Sequence, residues 1–98
     1  MTLEEQLHAG SRAKEVLENE QFQAAFDAIE KDVIEQWTNS PARDAAGRES
    51  LWTYLMLLRK VKAHLEVTLA SGKKAEVDLI HKRTAAERLR DGWNSLTE

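Results

Sequence analysis

TNSPARDAAGRESLW, Thr38 to Trp52, holds the only proline of this 98-residue chain and one of its four glycines. Pro41 lacks a backbone N–H and disfavours the α conformation in Ser40 before it. A helix arriving from the N-terminal side therefore ends near Thr38 or Asn39. Ser40 then reads as an N-cap, with Pro41 at the first helical position. The turn over 40–48 leads into a second helix, so the break predicts an αα-hairpin.

Both flanks carry helical spacing. Asn19 is a candidate cap. After it, Phe22, Phe26, Ile29, Val33 and Trp37 recur at steps of three and four, which is the stripe of a helix with one buried face over 20–38. On the other side Leu51, Tyr54, Leu55, Leu58, Val61, Leu65 and Leu69 predict a helix over 49–71. Folded antiparallel, the stripes pair Trp37 with Leu51 or Trp52, Val33 with Leu55, and Ile29 with Leu58. Phe26 then meets Val61 or Leu65, and Phe22 meets Leu65 or Leu69. Trp52, Met56 and Leu57 fall off the stripe and predict a second contact surface, for a third helix or for another copy of the chain.

The remaining segments are weaker. Thr2 and Glu5 have capping-box spacing, which starts a flanking helix over 1–18. Its anchors, Leu3, Leu7 and Leu17, are few, and Gly10 and Ser11 weaken it, so loose attachment is expected. Gly72 reads either as a C-terminal cap or as a costly mid-helix glycine. Ala75, Val77, Ile80, Thr84 and Leu89 then support a third helix, or a kinked extension of the second, over 73–91. Residues 92–98, with Trp93 and Leu96, read as a mobile tail. The expected fold is one all-α domain: an antiparallel helical hairpin with a short N-terminal helix and that C-terminal element.

A chain of this length buries only about two thirds of its unfolded surface, so its core is thin and partners become plausible. Composition is globular, with 42% hydrophobic and 32% charged residues. With no cysteine, disulfides and thiolate metal sites are excluded. No apolar run approaches the roughly 20 residues of a membrane helix, and the acidic, patterned start is unlike a signal peptide. A cytoplasmic protein is therefore expected. Charge is divided unevenly: residues 1–50 carry a net −6 and residues 51–98 a net +3.

Candidate chemistry is sparse. The SGKK at 71–74 lacks the earlier glycine, the Ser or Thr after the lysine and the preceding strand of a phosphate-binding loop. His8, His64 and His81 have no zinc-hydrolase spacing, and no serine sits in a nucleophile-elbow context. No catalytic, cofactor-binding or metal-binding residue is assigned, and the expected protein is not an enzyme. Lys73, Lys74, Lys82, Arg83, Arg88 and Arg90 are candidate phosphate contacts for nucleic-acid binding. The acidic total opposes tight binding of DNA by a single copy. Trp93, beside Leu96, is a candidate anchor for a partner, together with Trp52, Met56 and Leu57.

An aromatic acidic helix ending in Trp37, the turn pattern SPARD…GRE.LW and the following L…V.AHLE…..GK.A span Leu17 to Leu79. This block resembles a set of small proteins of tailed bacteriophages. The resemblance implies an accessory role near virion assembly or DNA packaging, either in the virion or in the cytoplasm of the infected cell, and implies no activity or ligand residue. The expected function is therefore helix-mediated protein–protein interaction, in a homo-oligomer or with a phage or host protein, without a membrane. Two alternatives stand beside it: a host-directed inhibitor of a nuclease or defence protein, and a small nucleic-acid-binding protein using the basic second half.

Overall fold

The structure, a computed structural model, describes residues 1–97, and these form three helices with no strand among the described residues. Helix α1 spans Leu3–Glu18, α2 spans Glu20–Asn39 and α3 spans Ala45–Thr97. The caps follow from local chemistry. Thr2 Oγ1 accepts from the Glu5 N–H at 3.1 Å to start α1, satisfying one of the free N–H groups of the first turn. Asn19 closes α1 and opens α2 at once: its N–H donates to the Val16 carbonyl, and its Oδ1 accepts from the Phe22 N–H at 2.9 Å. The Gln23 amide reaches back across this break to the Leu17 carbonyl at 2.7 Å.

The break at Asn19 sets a phase. The covered positions of α1 include Leu3, Gln6, Gly10, Ala13 and Leu17, at steps of three and four, with Leu7 and Ala9 half-buried beside them. The next covered position is Phe22, five residues on. In an unbroken helix, at about 100° per residue, Phe22 would point some 140° away from Leu17. The extended backbone of Asn19, φ −68° and ψ 121°, absorbs that offset.

The second break is built differently from the expectation. Ser40 caps the end of α2 instead of starting a helix; its hydroxyl donates to the Trp37 carbonyl at 2.6 Å. A tight turn follows, with the Asp44 N–H donating to the Pro41 carbonyl. Asp44 is the cap of α3, its Oδ1 accepting from the Gly47 N–H at 3.1 Å. A carboxylate is the stronger cap of the two because it also faces the positive end of the helix. Arg48 ties the turn together. Its guanidinium lies 4.0 Å from the Trp37 ring centre and donates to the Ser40 carbonyl and hydroxyl, at 3.2 and 3.0 Å.

Gly72 does not end α3: of the two readings, a third helix or an extension of the second, the structure has the extension, and residues 92–97, expected as a tail, are helical. The reason lies in α1. Gly10 and Gly72 are both buried where the two helices cross. A Cβ built on Gly10 would lie 2.6 Å from the Gly72 Cα, and one built on Gly72 would lie 2.7 Å from the Gly10 Cα. Glycine at 72 is there for close approach, not for a turn. Ala13 and Ala75 are buried one helical turn on. Consequently α1, expected to be loosely attached, is the element packed most extensively on α3.

Helices α2 and α3 meet through larger side chains. Matched pairs run down one helix as they run up the other: Trp37 with Arg48, Glu30 with Arg59, and Phe26 with Lys62. The buried core residues here are Phe26 and Val33, flanked by the partly covered Leu55, Leu58 and Leu65. Tyr54, Ile29 and Val61, read as stripe positions, are exposed, and Glu30 and Lys62 occupy the adjoining seam positions. The covered positions of α3 include 51, 55, 58, 62, 65, 69 and 72, which alternate steps of four and three, with Met56 and Thr68 half-buried beside them. That repeat passes through a lysine whose ammonium nitrogen lies over the Phe26 ring, 5.2 Å from its centre.

The molecule is long and thin, 83 × 25 × 16 Å, with a radius of gyration of 22.8 Å. A compact chain of this length would have about 13 Å. Among the described residues, four hydrophobic residues form the buried core: Ala13, Phe26, Val33 and Ala75.

Candidate functional site

Among the described residues three apolar features lack cover, of which the third, the Leu57, Val61 and Val67 flank of α3, is described below. The first is a groove at the turn end of α2 and α3. Val33, Ile34 and Trp37 form one wall; Leu51, Trp52, Leu55, Met56 and Arg59 form the other. It exists because the seam there is made of bulky residues, which hold the helices apart and leave their flanking side chains half covered. Trp52 is 57% exposed and Ile34 43% exposed. Arg59 closes one end, its guanidinium donating to Glu30 Oε1 at 2.7 and 3.0 Å. The neighbouring face of α2, which shares Ile34, carries Asp27, Glu30, Lys31 and Glu35.

The second feature is the free length of α3. Leu3 lies seven residues before Gly10, and Leu79 seven residues after Gly72, so α1 begins about level with Leu79. From Ile80 on, every described side chain except Thr84 is exposed. About 27 Å of single helix therefore projects beyond α1. The seam repeat does not stop there. After a step of three at Ala75 it continues through Leu79, Lys82, Ala86, Leu89, Trp93 and Leu96, again alternating three and four. Leu89 is 77%, Trp93 66% and Leu96 84% exposed.

The structure separates the residues that the sequence grouped. Trp52 and Met56 line the groove. Leu57 lies on the opposite flank of α3, with Lys60, Val61, His64 and Val67. The angular reason is simple: five residues from Trp52 to Leu57 turn the helix through about 140° beyond a full circle. Trp93 is on the overhang, remote from both. The basic candidates Lys73, Lys74, Lys82, Arg83, Arg88 and Arg90 are all exposed on α3, spread around its circumference and interleaved with Glu76, Asp78, Glu87 and Asp91. Arg83 and Arg90, seven residues apart, share a face; no single stripe gathers all six.

Ile34 and Trp37 as groove residues escaped the sequence reading, which assigned Trp37 to the core and passed over Ile34. The signal was present, since Ile34 lies one residue off the Phe22–Trp37 stripe. No cluster of three or more His, Asp or Glu side chains suited to a metal ion occurs among the described residues. No described helix is long and apolar enough to cross a membrane. Comparison of the chain with protein-family models, curated proteins and solved structures finds no match.

Proposed function

We propose that this protein is a non-enzymatic interaction module, an antiparallel helical hairpin that works by packing helices against a protein surface and associates with itself. The observation that carries this reading is the seam repeat of α3, which continues uncovered through Leu89, Trp93 and Leu96. Large apolar side chains at seam spacing are costly to leave in water, at about 25 cal/mol per Å². The 18 residues beyond α1 also lack the tertiary packing from which most helical stability in proteins comes. Both costs fall when a second surface covers the seam.

The resemblance of Leu17–Leu79 to proteins of tailed bacteriophages supports a place in virion assembly or DNA packaging. Sedimentation equilibrium tests the association: the expected mass at tens of micromolar exceeds the 11.2 kDa of one chain, and a constant single-chain mass removes self-association from the reading. Mass spectrometry of purified virions tests the setting; absence from the particle favours a role in the infected cell, such as inhibition of a host protein. Nucleic-acid binding through the basic half of α3 predicts a mobility shift at low salt that disappears steeply as salt rises.

A further inference from the structure

We infer that the overhang of α3 in one copy occupies the Trp37–Trp52 groove of a second copy, a plug and socket built into the same chain. The inference rests on the self-association proposed above and specifies its two surfaces.

Three observations select this occupant. The first is continuity. Leu89, Trp93 and Leu96 extend the repeat by which α3 already packs on α1, so their spacing is that of a helix seated against other helices. The second is size. The plug residues run from Leu89 to Leu96, seven residues apart, and the α3 wall of the groove runs from Leu51 to Arg59, eight apart. At the helical rise these are about 10 and about 12 Å. Seated in the groove, the overhang becomes a third helix beside α2 and α3, where the chain alone has only two.

The third is charge. Residues 80–97 carry Lys82, Arg83, Arg88 and Arg90 against Glu87 and Asp91, a net +2. Helix α2 carries Glu20, Asp27, Glu30, Asp32 and Glu35 against Lys31, a net −4. Arg88 and Arg90 flank Leu89, and the acidic face of α2 shares Ile34 with the groove. Two overhangs placed together would instead oppose like charges, as would two copies of α2. Charge of this kind favours one pairing over its rivals more than it adds affinity.

Because plug and socket are different surfaces, the contact is heterologous, and mixing two defective chains tests it. One variant combines Leu89→Lys with Trp93→Lys; the other combines Ile34→Lys with Trp52→Lys. All four positions are exposed, and unchanged helix content by circular dichroism confirms folding. The expected result is that each variant alone associates at least about tenfold more weakly than the unsubstituted chain, a cost of about 1.4 kcal/mol. An equimolar mixture then forms a one-to-one heterodimer, since one chain keeps a working socket and the other a working plug. Undiminished association of either variant, or loss in both without rescue on mixing, overturns the plug and socket and leaves self-association standing. An unsubstituted chain that remains a monomer throughout overturns both.

Discussion

At Gly10 and Gly72 two contributions of opposite sign meet. Alanine is the better helix former by about 1 kcal/mol, so each glycine would be a weakness in an isolated helix. At the crossing a Cβ meets backbone atoms at 2.6–2.7 Å, and backbone cannot rotate aside as a side chain can. Overpacking of this kind costs about 1–3 kcal/mol, so the steric effect wins. Gly72→Ala is expected to lower the urea midpoint; a rise would mean that α1 shifts freely on α3. Arg48 is the second residue on which much depends, because one guanidinium serves the Trp37 ring and the carbonyl and hydroxyl of Ser40. Arg48→Ala is expected to cost about 1–2 kcal/mol, the sum of a modest cation–π contact and lost charge-assisted hydrogen bonds, read from the same unfolding curve. Its conservative variant Arg48→Lys recovers little, since a point charge cannot both stack and donate in a fork.

At the level of elements, α1 and α2 hold α3 by different means. The α1 contact uses small residues and close backbones; the α2 contact uses Phe26, Val33 and the leucines. Phe26→Ala, at a buried ring in the centre of the second contact, is expected to cost about 3–5 kcal/mol. Arg59→Ala at the Glu30 pair, where the arginine side chain is 50% exposed, is expected to cost about 1 kcal/mol. Denaturation of the two variants side by side checks the contrast, and comparable losses would mean that the ion pair, not the ring, fixes the seam. The overhang gives a third expectation. Amides of residues 85–93 should exchange quickly in dilute protein, because these residues are exposed in one copy, and become protected as concentration rises. Hydrogen exchange measured at two concentrations reads this directly.

The whole molecule is a rod, and rods of this kind have little interior. With a core of four buried hydrophobic residues, most of the apolar surface of α3 lies at the edge of the seam or outside it. Small-angle scattering at low concentration should give a radius of gyration near 22.8 Å, well above the roughly 13 Å of a compact chain. A value close to the compact figure would mean that α3 does not stay one extended helix in solution.

Much of the helix pattern was legible in the chain because caps and periodicity are local. Thr2, Asn19 and Pro41 mark three of the boundaries by hydrogen-bonding chemistry that acts within four residues. The groove was half legible: Trp52 and Met56 announced themselves as apolar residues off the stripe, but their company with Ile34 and Trp37, and the separation of Leu57, depend on which flank of α3 lies toward α2. Gly72 shows where local reading stops. The same residue type serves a helix end and a helix crossing, and the difference is whether another backbone lies against it. The sequence by itself determined that this chain is helical and where most of its helices begin. Only the tertiary structure decided that α3 is one uninterrupted rod and that its last turns stand uncovered, because a close contact between residues 10 and 72 is a property of no local stretch.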